Sequence, residues 1–422
     1  MASAGEGQLI AVRIPAGWTL AGLVAGLLLG LALSGSAAIG PVLAVAEPVG
    51  TLWLRALQMT IIPLVAALLV IGIAQMARAA RAGAVARRTL AWIFAVLLFG
   101  GISTAVLMPL LLEAFPIPEG AAGLLMTVDG ERPAVPTIGD FIESLVAPNI
   151  VAAATETAML PLTLFFALFA VALVRLPEDQ RDTLLAFFRA LGNVMLRIIG
   201  WVLWVAPVGV FALAIGVAAA GGGGAFAALA HYIVTVAAMG AVVLIAGYAI
   251  AGLAGGIGPA RFARAMLPAQ AVALSTQSSL ASLPAMLVSA RRLGLREATA
   301  DFVLPLAVAI FRSTSPAMNL GVAIYVAHLA GVELTPPVLA AGVAVALVIS
   351  LGSVSLPGSI SFVVSIGPIA LAMGVPVEPL AILVAVEMLP DIMRTVANVT
   401  LDVAVTAAVD RPGARNPEGV QP

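Results

Sequence analysis

Apolar residues run through this chain in long, nearly unbroken stretches. Segments 17–33, 49–76, 90–112, 141–174, 194–220 and 225–256 carry only isolated charges. A run of about 20 apolar residues matches the ~30 Å hydrocarbon layer of a bilayer when coiled as a helix. The runs are continuous instead of alternating, which disfavours the strands of a membrane barrel and predicts spanning helices. Beyond Arg261 the apolar character persists, but Ser, Thr, Pro, Gly and a few charges break it at membrane depth. Backbone freed by such breaks survives only when buried in protein or lining a wet cavity.

Two of the broken stretches share a core. One reads Ser275-Thr-Gln-Ser-Ser-Leu-Ala-Ser282-Leu283-Pro284, the other Gly352-Ser353-Val354-Ser355-Leu356-Pro357-Gly358-Ser359. Paired interruptions in corresponding halves point to a midplane site built from helix tips, whose free N–H groups hold an anion. Simple kinking of ordinary helices would leave the doubling unexplained.

Composition sharpens the membrane reading: of 422 residues 62% are hydrophobic and 10% charged, and the mean hydropathy is +1.14. A soluble domain is about 25% charged. There is no cysteine, which excludes disulfide frameworks and thiolate metal sites. Residues 1–18 lack the basic start and small-residue cleavage site of a secretory signal, so the first run reads as a retained helix.

All 20 basic residues are arginines, and they bunch in alternate loops. The groups are Arg78, Arg81, Arg87 and Arg88; Arg175, Arg181 and Arg189; Arg261 and Arg264; Arg291, Arg292 and Arg296; and Arg411 and Arg415. Segment 112–140 holds Arg132 alone among acids. The positive-inside rule puts the arginine loops and both termini in the cytoplasm. That parity gives the first Ser-Leu-Pro stretch two cytoplasmic flanks, Arg264 and Arg291, so it enters and leaves by one face. The second must do the same from the other face. The expected fold is therefore all-α and transmembrane, with eight spanning helices and two re-entrant hairpins in an inverted repeat.

The last apolar run carries Glu387, Asp391, Arg394, Asn398 and Asp402 at a spacing that sets all five on one helix face. A charge at the bilayer centre costs about 2.5–3.5 kcal/mol on insertion scales, so such groups face inward and mark a pathway or ligand site. Mutual neutralisation of Asp391 and Arg394 would leave the other acids and the amide unexplained. Arg394 offers a planar fork for a carboxylate, Asp391 takes an ammonium, and Asn398 donates to a second carboxylate. The stripe reads as a holder for a zwitterion with an extra acid.

Other motifs are weak. His231 and His328 lack ligating company and read as packing residues, Gly221 to Gly224 follows no strand, and Ser282 has no base partner for nucleophilic catalysis. No enzyme, metal cofactor or nucleic-acid partner is indicated.

These residues resemble the dicarboxylate/amino acid:cation symporter family, which includes the glutamate and aspartate transporters. Leu54-Arg-Ala-Leu-Gln-Met-Thr-Ile-Ile-Pro-Leu64 looks like its second helix, and Pro148-Asn-Ile-Val-Ala-Ala-Ala and Ala206-Pro-Val-Gly-Val-Phe-Ala-Leu like its fourth and fifth. Ser275 to Pro284 is similar to the first hairpin tip, S-S-S-x-x-T-L-P, and Gly352 to Pro357 to the second. The last helix follows D-x-x-x-D-x-x-R-T-x-x-N-x-x-x-D, with Glu387 in the first acidic place. The resemblance implies that Asp391 holds a substrate amino group, Arg394 a side-chain carboxylate with Thr395 assisting, and Asn398 with Ser279 the α-carboxylate. Ser278, Pro357 and Gly358 complete the two tips.

A departure falls on the family's N-M-D-G-T motif, where this chain has Phe311-Arg312-Ser313-Thr314-Ser315. Two of the family's sodium sites lean on the altered oxygens, and sodium needs several hard oxygen ligands. What remains for one Na+ site is Asp402 and Asn398 with Ser313, Ser315 and backbone carbonyls. Arg312 is expected to place a fixed guanidinium where the family holds an exchangeable cation, relieving Asp402 or Asp391; the plainer alternative is that it snorkels to an interface.

The resemblance also implies a homotrimer with an elevator-like movement. Residues 1–256 would be mainly scaffold, with the third and sixth spans able to join the moving part. Residues 257–410 would form the transport core, and 411–422 a cytoplasmic tail. The expected activity is secondary active transport of an acidic amino acid across the cell's inner membrane, with Na+ or H+ as coupling ion and altered cation coupling. A C4-dicarboxylate or cystine carrier, or an anion channel along the same seam, is the alternative.

Overall fold

The computed structural model describes residues 16–81, 83–118, 143, 145–221, 224–352 and 358–410, and among them every regular element is an α-helix. The first are α1 (Ala16–Leu33), α2 (Ile39–Gln58), α3 (Ile61–Ala80) and α4 (Ala84–Ala114). Next come α5 (Ile150–Thr155), α6 (Met159–Leu173), α7 (Glu178–Trp204), α8 (Ala206–Gly221) and α9 (Gly224–Leu253). Then follow α10 (Pro259–Thr276), α11 (Leu283–Arg292), α12 (Glu297–Ile310), α13 (Ser315–Ala330), α14 (Pro336–Gly352), α15 (Gly358–Ala372), α16 (Leu380–Val386) and α17 (Met388–Val409).

Among the described residues, five stretches are long and apolar enough to cross a membrane: 39–80, α4, α7, α9 and α17. Large apolar side chains also stand bare on the outside, among them Trp18, Leu52, Leu168, Trp201, Val234 and Ile245. Water would penalise such a surface at about 25 cal/mol per Å², whereas lipid accepts it.

Several apolar runs are interrupted where the sequence pattern reads as continuous. α2 and α3 form one run bent at Met59 and Thr60, because Pro63 supplies no N–H for the carbonyl of Met59. The expected span 141–174 is broken between α5 and α6, with Thr157 at φ 55° and Pro161 just beyond. The expected span 194–220 is broken at Val205, two residues before Pro207. The indole Nε1 of Trp53 donates to the Val202 carbonyl at 2.9 Å beside that break. α7 also reaches back to Glu178, through a segment that reads as loop in the sequence. Pro177 precedes its first turn, and Glu178 and Asp179 lie where the helix dipole favours acids.

α1 lies against α8 with almost no side chains between them. A Cβ built at Gly22, Gly26 or Gly30 would strike the carbonyls of Pro207, Phe211 and Ile215 in turn. α13 is buried from Ser315 to Ala327 and α17 from Ala397 to Val409. α9 and α4 pack around these two, with Gly240 facing Met318 and Met393, and Gly100 facing Ala317.

Two sets of arginines hold neighbouring elements together. Arg78 pairs with Asp182 at 3.2 Å, and Arg81 Nη2 donates to the Val174 carbonyl at 3.3 Å. Arg261 donates to the Leu293 carbonyl at 3.0 Å, and Arg296 pairs with the buried Asp410 at 2.6 Å. Met76, Leu90, Val303 and Val409 share one apolar cluster, which joins the two sets.

α10 and α11 pack side by side as a helix pair, and so do α14 and α15. α11 has 10 residues, a length of about 15 Å, half a hydrocarbon layer. Residues 353–357, which include Pro357, lie outside the described residues; Gly358 is the first residue of α15.

Candidate functional site

The first of the two Ser-Leu-Pro turns bends at Gln277, whose backbone is left-handed at φ 49°. From there Gln277 Nε2 donates to the Met388 carbonyl at 3.2 Å, fastening the turn to the start of α17. Ser278 and Ser279 are half-buried in the turn. The Ser278 hydroxyl accepts from Ala281 N at 3.2 Å, while its carbonyl accepts from Ser282 Oγ at 2.9 Å. Gln270 Nε2 donates to Thr400 Oγ1 at 3.0 Å and ties the arm α10 to the middle of α17.

A second irregular segment, Phe311 to Thr314, separates α12 from α13. Its freed backbone is met by α17: Asn398 Oδ1 accepts from Thr314 N at 3.0 Å, Ser313 Oγ at 2.8 Å and Thr314 Oγ1 at 2.9 Å. A backbone N–H can only donate, so the contact with Thr314 fixes which end of the amide faces the break. The Oδ1 end of Asn398 is thereby engaged, and its NH₂ end is the one turned elsewhere. Ser315 Oγ is also engaged, accepting from Asn319 Nδ2 at 2.9 Å.

Arg394 is the hub of the buried charges. Its Nη2 donates to Glu387 Oε1 at 2.7 Å, its Nη1 to Asn319 Oδ1 at 2.8 Å, and its Nε lies 3.1 Å from Asp391 Oδ1. Glu387 is fully enclosed, and Asp391 and Arg394 are only 6% and 5% exposed. The second oxygen of Glu387 accepts from Tyr232 OH of α9 at 3.3 Å. Thr395 is buried beside them, with its hydroxyl donating to the Asp391 carbonyl at 2.9 Å.

Arg312 lies near enough to Asp391 and Arg394 for their charges to interact. Asp391 is one of the two partners expected for this guanidinium, and its charge is felt there. Asp402 is wholly buried, and neither carboxylate oxygen has a hydrogen-bond partner. A bare carboxylate in an apolar interior is costly, and its two free hard oxygens suit a small cation. Among the described residues no group of three or more His, Asp or Glu gathers to hold a metal ion, at Asp402 or anywhere else.

The structure thus brings Glu387, Asp391, Arg394, Thr395, Asn398, Arg312, Ser313 and Ser315 to one buried region, with the first turn docked on it through Gln277. Asn319, Tyr232 and Gln277 also belong to it and escape the sequence reading. Asn319 had one available signal, an amide inside an otherwise apolar helix, where it must find a partner.

Comparison with known proteins gives the family of the chain. The chain is 29% identical over 390 residues to the proton/sodium-glutamate symport protein of Bacillus subtilis (strain 168), covering 90% of this chain and 88% of that one. It is 29% identical over 368 residues to the proton/glutamate-aspartate symporter of Escherichia coli (strain K12), covering 84% and 82%. It is 24% identical over 359 residues to the C4-dicarboxylate transport protein of Deinococcus deserti, covering 83% and 80%. A family profile matches residues 16–412, and with the apolar exterior and the charged interior it completes the case: this integral membrane protein belongs to the sodium:dicarboxylate symporter family, a family of transporters and not of enzymes.

Proposed function

We propose that the chain is a secondary active transporter for an acidic amino acid of the aspartate or glutamate kind. The observation that carries this reading is the buried Arg394 fork, flanked by Asp391 and by the docked serine turn. In this reading Asp391 takes the ammonium group and Arg394 the side-chain carboxylate, with Thr395 beside it. The α-carboxylate goes to the NH₂ of Asn398 and to Ser279, supported by Ser278 and by Pro357 and Gly358 of the second tip. Relatives named for glutamate and aspartate transport support the substrate class.

α10–α11 and α14–α15 are the re-entrant hairpins, for which the short arm α11 is the main support, and they join eight spanning segments. The arginine-bearing loops are cytoplasmic, with both termini on that side of the cell's inner membrane. The glycine seam of α1 and α8 suits a fixed frame and trimer contact. The burial of α13 and α17 between α4 and α9 suits a core that travels as a unit, elevator-fashion, with α4 and α9 included. Closure of the outer hairpin over bound substrate permits the shift, which couples occupancy to movement.

Charge bookkeeping bears on coupling. Glu387 and Asp391 oppose Arg394 and Arg312, so this cluster is neutral when all four are ionised. An acidic amino acid brings one net negative charge, and a single cation or proton restores neutrality. Arg312 therefore stands in for one coupling cation, and Asp402 remains the group for Na+.

A second reading has a specific support. Arg312 and Arg394 both act on Asp391, which leaves it less free for an ammonium and favours a C4 dicarboxylate, as in the Deinococcus relative's name. Uptake of radiolabelled aspartate into proteoliposomes, with sodium and proton gradients imposed separately, tests the main reading. Concentrative uptake is expected; if acidic amino acids neither enter nor compete, the Arg394 assignment fails. Arg312→Ala is expected to abolish sodium-insensitive uptake with the protein still in the membrane, and full sodium dependence in the parent protein would refute the stand-in role.

A further inference from the structure

The Glu387 carboxylate occupies the same face of Arg394 that an incoming carboxylate would need. Its Oε1 holds Nη2 at 2.7 Å, Asp391 lies 3.1 Å from Nε, and Nη1 donates to Asn319. A substrate carboxylate that grips Arg394 by its Nε–Nη2 edge must displace the partners on that edge, Asp391 and Glu387. Asn319 is held from behind by Ser315. Asp391 is the neighbour on the helix that the reading above reserves for an ammonium. Glu387 sits at the joint between α16 and α17, where its side chain swings on its own torsions while its carbonyl keeps the bond from Asp391 N. It is the partner free to leave.

Among the described residues, the only cation acting on Glu387 is Arg394. The ionisable groups facing it are Arg394 and Asp391 of its own helix and Tyr232 of α9. α16, Leu380–Val386, contributes only Leu, Ala, Ile and Val. α13 contributes neutral Asn319 and, behind Tyr232, the ring of Tyr325 at 5.4 Å. Arg312 acts on Asp391 and Arg394. An ionised carboxylate released into that enclosure would be an uncompensated buried charge, which proteins avoid by taking up a proton.

We propose that Glu387 is the carrier of a coupling proton, held ionised on Arg394 in the empty transporter and protonated when a substrate carboxylate takes its place. The proton comes from bulk water on the loading side and adds to one carboxylate oxygen, with no other bond made or broken. The resulting O–H turns to the Tyr232 oxygen, which now accepts where it had donated at 3.3 Å. The Tyr232 hydroxyl hydrogen then needs another acceptor, which a small rotation of the ring supplies or a water replaces. Release of substrate on the far side restores the Glu387–Arg394 pair and expels the proton there. With one negative charge brought by the substrate and one removed at Glu387, the four-residue cluster is neutral both empty and loaded, so it crosses the membrane without a net buried charge.

This rests on the transport reading, and the experiment separates the two. Initial uptake of labelled aspartate is measured in sodium-free proteoliposomes at clamped zero voltage, with and without an inside-alkaline pH gradient. Wild-type uptake is expected to rise several-fold with the gradient. In Glu387→Gln the ratio is expected to fall to one, while aspartate–aspartate exchange, which moves no net proton, continues at a reduced rate. An undiminished gradient response in Glu387→Gln overturns the proposal, as does a wild type that accumulates aspartate with no response to pH. Failure of all acidic substrates to enter under any gradient overturns the transport reading instead.

If Glu387→Gln does not reach the membrane, binding to the purified wild type in weak buffer decides. About one proton should be taken up per aspartate bound near neutral pH, and Tyr232→Phe should shift the pH range of that uptake. No proton uptake, or an unshifted profile in Tyr232→Phe, overturns the assignment.

Discussion

The backbone N–H of Thr314 donates to the side-chain oxygen of Asn398 at 3.0 Å, joining the irregular segment before α13 to the middle of α17. The same oxygen serves two hydroxyls. Asn398→Ala would strand a buried N–H, at a cost of about 1–3 kcal/mol. The expected outcome is a clear fall in the melting temperature of the detergent-purified protein, with substrate affinity lost as well. Asn398→Asp keeps an acceptor and should recover most of the thermal loss.

On the proposed substrate contacts, Asp391 decides between an amino acid and a diacid. Asp391→Asn removes the charge that would hold an ammonium, and a hydrogen bond to a charged group is worth about 1.5–3 kcal/mol. Aspartate affinity should fall by at least tenfold. The two arginines acting on Asp391 are then less compensated, so a C4 dicarboxylate should compete better than in the wild type. Competition against labelled aspartate, measured for both substrates, checks both halves.

Asp410 is wholly buried and takes bonds from Arg296 Nε at 2.6 Å, Arg296 N at 3.2 Å and Thr299 Oγ1 at 3.0 Å. It fastens the end of α17 to the start of α12. Asp410→Ala should cost about 2 kcal/mol, the worth of a charged hydrogen bond. Arg296→Ala should cost less, because its side chain is 41% exposed and the ion pair is partly screened. Thermal unfolding of the two variants under one set of conditions tests the order.

Gly26 has no room for a side chain against the Phe211 carbonyl, and a Cβ there would also lie 2.8 Å from that of Ala214. Gly26→Val should push α1 off α8 and destabilise the protein by about 1–3 kcal/mol or more, the usual cost of overpacking. Gly17, with open space around the same atom, should tolerate alanine with no measurable change in unfolding temperature.

Much of the charged site was legible in the sequence because an ionised residue inside an apolar run is an exception that periodicity can locate. Glu387, Asp391, Arg394, Asn398 and Asp402 declared themselves in that way. Tyr232 and Gln277 did not, since their importance arises only from partners 155 and 111 residues distant. The helical class and the apolar exterior were legible from run length. The bends were less so: the pattern of apolar residues is blind to Thr157 and Val205, where a local backbone change and a nearby proline decide. Pro63, Pro161 and Pro207 each follow a break closely, and that punctuation was present to be read.

The α1–α8 seam has one more implication. Backbone laid on backbone offers no rotamers to repack, so its shape is fixed by glycine alone and single substitutions there can only subtract. The region around α17 is the opposite: side chains meet side chains, as where Arg394 bonds Glu387 and Asn319, and a single substitution there alters the charge balance while the seam stays as it is. New cargo preferences in such a protein would therefore arise by few changes near α17, while the glycine ladder stays as it is.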